Sequence, residues 1–243
     1  VVPKGMYTLL VPRGMYPHAM GSRERLLEAM CELMWRHGYS AVSPREVREL
    51  SGVGQGSMYH YFPTKRDLGL AALRRNCRAH ADAVAAALDS ADDPLDAVTA
   101  YIAMPRQALK GCRAGRMVQD RAVMTDDELR APVAQAFDET HRRLTAVIEA
   151  AIAAGELPAE LDADRLAYTV AAVFQGGYVL AIAQQDPDPC DAARQGVLDL
   201  LRLAAGAAPA GATIEAAVSP SPSTSAPADA GADRRTASEG EES

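Results

Sequence analysis

Aromatic residues, lysine and β-branched runs are scarce in this chain. Phe, Trp and Tyr make up 5% of its 243 residues, and lysine occurs only at Lys4, Lys65 and Lys110, so arginine supplies most of the positive charge. Alanine and leucine, which favour helices, are abundant, whereas the residues that favour strands are few. The composition therefore predicts an all-α protein and argues against β-rich folds.

Paired cysteines and long apolar runs are also missing. Cys31, Cys77, Cys112 and Cys190 lie far apart, without a CxxC pair or a zinc-ligand spacing. We find no secretory leader and no apolar run long enough to span a membrane. We therefore expect no metal, no cofactor, no membrane partner and a reduced, cytoplasmic setting.

Residues 43–66 are the most informative part of the sequence, because they hold two short helical patterns separated by a glycine turn. The first helix has a strong start: Ser43 can cap it, a proline takes the first helical position, and Glu46 can close a capping box. Gly52 stands where this helix must end with a positive φ, which glycine adopts at low cost. The spacing predicts a helix-turn-helix whose second helix can enter the major groove of DNA.

The second helix, about 55–61, has an inner and an outer face. Met58, Tyr61 and Phe62 are expected to pack into the core. On the outer face, Gln55 can pair with both edges of an adenine, whereas the other donors suit phosphates, which position a protein without reading sequence. The expected DNA-binding residues are Ser43, Arg45, Gln55 and Ser57, with Tyr59, His60 and Lys65 as phosphate anchors.

This segment resembles the TetR family of bacterial transcriptional regulators. The resemblance covers about residues 22–73 and rests on an apolar helix ending at His37-Gly38-Tyr39 and on the run Tyr59-His60-Tyr61-Phe62-Pro63-Thr64-Lys65. It implies an N-terminal three-helix DNA-binding domain followed by a C-terminal helical domain for ligand binding and dimerisation. The rest of the chain agrees with the family only in its helical layout.

Three features depart from the family pattern. Gly54 stands where a serine or threonine is usual, so the second helix loses a capping hydroxyl. Arg48 and Leu50 stand where small residues are common. Arg66 replaces the usual acidic residue, and we expect it to add positive charge beside the DNA. None of these changes breaks the motif.

The net charge of −7 is unexpected for a DNA-binding protein, so its distribution matters. Residues 22–66 hold seven basic and five acidic side chains, whereas residues 205–243 hold two arginines and six acidic side chains. The acidity thus lies away from the helix-turn-helix, and DNA affinity depends on local charge.

Composition divides the chain into four parts. Residues 1–21 contain Leu-Val-Pro-Arg-Gly, which matches a protease site common in expression vectors, and we interpret them as a disordered or vector-derived leader. Residues 22–66 form the helix-turn-helix DNA-binding domain and 67–204 the ligand-binding and dimerisation domain. Residues 205–243 are an acidic tail rich in Ala, Pro and Ser, which we expect to be disordered.

Capped helical segments follow the helix-turn-helix. A kink is expected at Pro105, because proline cannot continue a helical hydrogen-bond ladder. With three N-terminal helices the total is nine, the number usual in the family. The expected later helices are about 64–88, 93–110, 113–122, 125–154, 162–184 and 189–204.

The last two helices carry wide apolar stripes, although a monomer needs only one buried face per helix. In the family, two such helices from each subunit form a four-helix interface, so the resemblance implies a homodimer. One short helix reads few bases, and a palindromic operator is therefore expected. The expected interface residues are Val170, Phe174, Gly177, Tyr178, Ala181, Val197, Leu200 and Leu201.

The middle helices, about 65–155, are where the family binds a small-molecule ligand. Pockets are mostly apolar with a few polar groups, but the same residue types at helical spacing are ordinarily core. Cys112 is either a sensor of electrophiles or oxidants or a buried structural thiol. The expected pocket residues are Tyr101, Met104, Gln107, Met117, Met124, Phe137, His141 and Gln175.

Three classes of function follow from these observations. The leading hypothesis is a homodimeric repressor that binds a palindromic operator on double-stranded DNA and is released by a small-molecule effector, with helix 65–88 as the lever. The alternative is a DNA-binding dimer without small-molecule control, either constitutive or regulated by a partner. An enzyme is not expected, because no nucleophilic triad, metal spacing or phosphate loop is present.

Overall fold

The structure is a computed structural model that describes residues 20–206. Within these residues the chain forms ten α-helices and no strand, which confirms the all-α fold. Most of the expected leader and tail lies outside the described residues. The helices are α1 (Ser22–His37), α2 (Pro44–Ser51), α3 (Gln55–Tyr61), α4 (Lys65–Leu88), α5 (Pro94–Ala103), α6 (Gly115–Val118), α7 (Arg121–Met124), α8 (Asp127–Ala153), α9 (Ala163–Gln184) and α10 (Asp188–Ala204).

Several helices begin at the caps expected from the sequence. Ser43 and Thr64 each form a complete capping box, at the starts of α2 and α4. Asp93 caps α5, and Asp162 caps α9. These side chains accept hydrogen bonds from first-turn N–H groups that have no partner within the helix. Because caps act locally, the starts of these helices were predictable from short stretches of sequence.

The end of α5 differs from the prediction of a kinked helix reaching about residue 110. Met104 has an extended ψ of 141°, and α5 ends at Ala103. Pro105 is the cause, since a residue before proline is disfavoured in the helical region and proline itself has no N–H to donate. Residues 104–114 form turns instead. We call this segment the 104–114 loop.

The stretch between the 104–114 loop and α8 also differs from the prediction. One helix was expected at about 113–122, but α6 and α7 are separate four-residue helices. The side chain of Asp120 caps α7 by accepting from Ala122 N–H, which starts a new helix there. Asp126, rather than Thr125, caps α8. The described residues therefore hold ten helices instead of the nine expected.

Two apolar cores run through the described residues. Helices α1–α3, which we call the N-terminal unit, share one core with the start of α4 and the adjoining parts of α6–α10. The second core lies among α4, α5 and α8–α10, the upper part of the body. Helix α4 belongs to both cores, through Leu68 and Leu73 at one end and Val84 and Leu88 at the other. It therefore joins the N-terminal unit to the body, as expected of the lever.

Helix α9 is unusually apolar. It is 22 residues long, and its most apolar stretch has a mean hydropathy of 1.6, so by length and composition alone it is long enough to cross a membrane. The expectation that no such run exists is therefore wrong. The helix packs on α8 and α10, and 33% of that stretch is buried. A core helix of a soluble protein passes the same test, so the helix by itself is weak evidence for a membrane.

Candidate nucleic-acid interface and ligand cavity

The turn between α2 and α3 has the geometry expected of a helix-turn-helix. Gly52 adopts a left-handed conformation (φ 66°, ψ 20°), and its N–H donates to the carbonyl of Arg48 at 2.9 Å. Val53 fills the turn and is buried. Helix α3 begins after Gly54, which contributes no side-chain cap. Met58 is 1% exposed and attaches α3 to the core. The opposite side of α3 is therefore left open.

The residues expected to contact DNA from α3 lie on that open side. Gln55, Ser57, Tyr59 and His60 are all exposed. Their side chains supply amide, hydroxyl and imidazole groups that can pair with base edges and phosphates. The structure thus brings these four predicted residues together on one short helix.

The predicted contacts outside α3 are already engaged within the protein. The hydroxyl of Ser43 accepts from Glu46 N–H at 3.2 Å, so its main local task is capping. Arg45 donates to Glu49 at 2.8 Å, although the arginine side chain is 78% exposed. Each group keeps the capacity for a phosphate contact, but each has an internal partner.

Lys65 is held more tightly than an exposed phosphate anchor would be. Its Nζ donates to the carbonyl of Ser40 at 3.3 Å and lies 4.5 Å from the centre of the Tyr39 ring. Burial lowers the pKa of this amino group. An ammonium group has three donors, so two remain for a phosphate. Lys65 therefore points toward the turn between α1 and α2.

Tyr61 was expected in the core, and that expectation is wrong. It is 42% exposed, and its ring contacts the edge of His60 at 5.1 Å between centroids. Phe62 is buried as expected, with the guanidinium of Arg23 5.2 Å from its ring. Tyr61 and the exposed Arg23 are thus candidate DNA contacts that sequence reasoning missed. Nothing local links the start of α1 to the end of α3, so Arg23 carried no signal.

Arg66 does not supply free positive charge beside the DNA, contrary to expectation. Its guanidinium forms two hydrogen bonds to Asp126, at 2.8 and 2.9 Å, and a further ion pair with Glu128. These hydrogen bonds lower the pKa of Asp126. Arg66 therefore ties the start of α4 to the start of α8. Ser40 makes a similar link, because its N–H and its hydroxyl both donate to Asp120 at 2.6 Å.

The 104–114 loop fastens the body to α1. The indole N–H of Trp35 donates to the carbonyl of Gly111 at 2.8 Å. The Trp35 ring also faces two cations of the loop, with Lys110 Nζ at 4.5 Å and the Arg113 guanidinium at 3.8 Å from its centre. Lys110 in turn pairs with Glu32 at 3.0 Å. The loop is thus bonded to the N-terminal unit at several points.

The body encloses a small cavity, which we call the inner cavity. Its volume is about 20 Å³. That is room for about one water molecule. Three of the predicted pocket residues, Tyr101, Phe137 and Gln175, line it together with seven others. Those seven are His80, Arg106, Cys112, Thr140, Ala171, Phe174 and Tyr178.

The remaining predicted pocket residues lie elsewhere. Met104 packs on the upper core, whereas Met117 and Met124 pack on the core shared with the N-terminal unit. Gln107 is exposed. The ring of His141 stacks on Tyr168 and its Nε2 lies 2.8 Å from Asp164. Helical spacing could not separate these residues from the cavity lining, because both groups face inward from their helices.

Two clefts adjoin the inner cavity. The outer cleft, about 350 Å³, shares Arg106 with the cavity and extends to Lys110 and Asp191. The side cleft, about 170 Å³, shares Cys112, Gln175 and Tyr178 with it. The inner cavity is therefore bordered on two sides by space that a small molecule could enter.

The cysteines are all buried and unpaired. Burial raises the pKa of the Cys31 and Cys77 thiols to about 12, which makes them poor nucleophiles. Cys112 lines the inner cavity. Among residues 20–206, no group of three or more His, Cys, Asp or Glu side chains is arranged to hold a metal ion.

The expected dimer interface requires a correction. Of its eight residues, only Leu200 is exposed, at 67%. The others are buried within the protomer: Val170, Phe174, Gly177, Tyr178, Ala181, Val197 and Leu201. Because α9 is apolar on most sides, the apolar pattern could not show which side the protomer itself covers. We call the side left uncovered the α9–α10 face, and its large apolar residues are Tyr168, Val179, Leu180, Leu200 and Leu203.

Comparison with known proteins agrees with this geometry. The family model described as "Bacterial regulatory proteins, tetR family" matches residues 26–72, and "Tetracyclin repressor-like, C-terminal domain" matches residues 92–197. The chain is 31% identical to Transcriptional regulator AcuR of Cereibacter sphaeroides over 185 residues, covering 73% of this chain and 84% of AcuR.

Two further matches cover similar stretches. HTH-type transcriptional regulator TtgR of Pseudomonas putida is 28% identical over 166 residues, covering 65% of this chain and 79% of TtgR. Among solved structures, the regulatory protein TetR from Rhodobacter sphaeroides superimposes with a TM-score of 0.65 at 29% identity, covering 72% of this chain and 96% of that one.

Proposed function

Because this chain belongs to the TetR family of bacterial DNA-binding transcriptional regulators, we propose that it is a homodimeric, cytoplasmic repressor that a small-molecule effector releases from a palindromic operator. One observation carries the proposal. The 104–114 loop lines the inner cavity through Arg106 and Cys112, and it bonds to α1 through Lys110 and Gly111. A ligand that displaces this loop must therefore disturb the unit that holds α3.

The DNA contacts proposed for each protomer lie on α3. Gln55 and Ser57 are the base readers, and Tyr59 and His60 the phosphate anchors, supported by their exposure opposite Met58. Tyr61 joins them as a further contact. Two α3 helices of a dimer must lie one DNA turn apart, roughly 34–36 Å, to occupy successive major grooves. A change in that spacing is the proposed route to release.

The proposed dimer surface is the α9–α10 face. Besides its large apolar residues it carries Gly176 and Gly196, both exposed and inside helices. A side chain added at either glycine would meet no atom of the protomer. Glycine inside a helix costs about 0.5–1 kcal/mol relative to alanine, so these two residues have no purpose within the protomer. They permit the close approach of helices from a second copy.

The coupling is proposed to run along two connections. One is the 104–114 loop with its bonds to Trp35 and Glu32. The other is α4, whose start is held to α8 by Arg66 and whose far end borders the upper core. If effector and operator favour different arrangements of these connections, each must weaken the binding of the other by the same factor.

One observation favours the alternative, a DNA-binding dimer without small-molecule control. The inner cavity has room for about one water, so an effector larger than that must displace side chains or use the adjoining clefts. A cavity that stays closed to every small molecule would leave the DNA-binding function intact and remove the regulation.

The proposal is tested by operator binding with the full chain. A duplex selected from random DNA by the protein should be palindromic and bind two protomers, measured by fluorescence anisotropy and light scattering. A ligand found by calorimetric screening of cell extract fractions should weaken that binding. An operator affinity that stays constant when such a ligand is saturating would contradict effector release.

A further inference from the structure

The inner cavity contains a cation that no carboxylate neutralises. Arg106 lines the cavity, and none of the ion pairs among residues 20–206 includes it. Its Nε is buried and has no hydrogen-bond partner. Asp191 lines the same outer cleft but is paired with Arg194 at 3.1 Å. In the described part of the chain, the walls of the inner cavity hold no acidic side chain.

The contacts that Arg106 does make compensate its charge only partly. One guanidinium nitrogen donates to the carbonyl of Tyr101 at 2.8 Å. The guanidinium lies 4.1 Å from the centre of the Phe174 ring and 5.3 Å from that of Tyr101. Such cation–π contacts are favourable. Arginine keeps its charge in proteins, however, and a charge removed from water without a counter-ion is destabilising. The arrangement is that of a site awaiting an anion.

The other groups of the cavity suit a carboxylate head. Burial raises the pKa of the Tyr101 and Tyr178 phenols, and the Arg106 charge only partly opposes this, so both keep a proton to donate. Burial and Arg106 lower the pKa of His80, so the imidazole is neutral and adds no competing cation. A planar guanidinium matches the two oxygens of a carboxylate better than any other single side chain does.

We propose that the effector is an organic carboxylate whose head group binds Arg106 in the inner cavity. This inference rests on the proposed effector control of operator binding. The small inner cavity admits the head group, and the side cleft receives the body of the molecule. That cleft is lined mainly by uncharged groups, with Val179 and Ile182 on one wall and Gly111 on the other. Its size suits a short-chain or monocyclic aromatic carboxylate.

Gly111 makes this position consequential. Its carbonyl accepts the Trp35 indole N–H, so a molecule in the side cleft lies against the residue that fastens the loop to α1. Trp35 is the only tryptophan in the chain, and its fluorescence therefore reports on this contact alone.

The test compares carboxylates with their neutral amides on the full chain. Benzoate and hexanoate are titrated against benzamide and hexanamide, with isothermal calorimetry and Trp35 fluorescence as readouts. We expect the carboxylates to bind about 10- to 100-fold more tightly than the amides, the range of a charged hydrogen bond. Arg106→Met should remove that preference, whereas Arg121→Gln, at an exposed arginine of the body, should retain it.

Folding of the variant is checked by circular dichroism and thermal unfolding. We expect the Tm of Arg106→Met to equal or exceed that of the parent, because an unpaired charge has been removed. If that variant does not fold, Arg106→Lys replaces it, since it keeps the charge but loses the planar fork and should weaken carboxylates selectively.

Three results would overturn the carboxylate site: amides binding as tightly as carboxylates, a folded Arg106 variant with unchanged preference, or no binding of either carboxylate at millimolar concentration. Operator anisotropy separates this proposal from the proposed function. Carboxylates that bind through Arg106 without weakening the operator complex would sustain the site and refute effector release. Release by ligands indifferent to Arg106 would do the reverse.

Discussion

The indole N–H of Trp35 on α1 donates a 2.8 Å hydrogen bond to the carbonyl of Gly111 in the 104–114 loop. The same loop lines the inner cavity through Cys112, the residue next to Gly111. The DNA-reading unit and the cavity are therefore separated by a single loop, and the bond between these two residues is the shortest described route between them.

Loss of this bond is expected to destabilise the protein. Trp35→Phe keeps an aromatic ring but leaves the buried Gly111 carbonyl without its partner, at a cost of about 1–3 kcal/mol in the free energy of unfolding. Urea denaturation measures this cost. Ser90→Ala, which removes an exposed hydrogen bond to Ala87 far from the loop, is the control and should cost less. Equal losses would show that the Trp35 bond has no special weight.

Gln55→Ala should relax discrimination at one base position of the operator. An exposed glutamine at the start of α3 can pair with both edges of an adenine, and such a contact contributes about 1–3 kcal/mol. Anisotropy titrations against operators substituted at each position would locate it. A uniform loss over all positions would mean that Gln55 is not a base reader.

Lys65→Ala should instead weaken all sequences alike. One phosphate contact contributes about one unit to the slope of log affinity against log salt concentration, and that unit should disappear. Because Lys65 also donates to Ser40, thermal unfolding of the variant is measured alongside. An unchanged salt slope would show that the amino group stays on Ser40 when DNA is bound.

Gly176→Arg should convert the dimer to monomers. The position is exposed on α9, and an added side chain meets nothing in the protomer, so the fold should persist while a second copy is repelled. Sedimentation equilibrium measures the mass. Ala146→Arg, at an exposed position of α8, adds the same charge and should leave the dimer unchanged. A dimeric Gly176→Arg would place the interface elsewhere.

His80 should make the protein less stable in mild acid. Burial and the nearby Arg106 lower its pKa in the folded state below the ordinary 6.5, so the unfolded chain binds more protons as the pH falls through that value. Stability contributed by the neutral imidazole is therefore present above about pH 6.5 and is lost below it. Urea midpoints between about pH 5.5 and 7.5 should show this loss, and His80→Gln should reduce it. His60→Gln, at an exposed position, is the control and should leave the profile as it is.

What the sequence by itself determined is local. Ser43 and Thr64 cap their helices, Gly52 turns the chain with a positive φ, and Met58 faces inward from α3, because each depends on neighbours within about four residues. These features established the helix-turn-helix and its four outward residues.

Only the tertiary structure decided which side chains meet across the chain. Arg66 pairs with Asp126 of α8, Tyr61 is exposed while Phe62 is buried, and Arg106 enters a cavity built from α4, α5, α8 and α9. The exposed side of α9 was likewise undetermined, since a helix that is apolar on most sides fits several packings. The physical reason is that residues distant in sequence, and their packing, choose among faces that local pattern leaves equivalent.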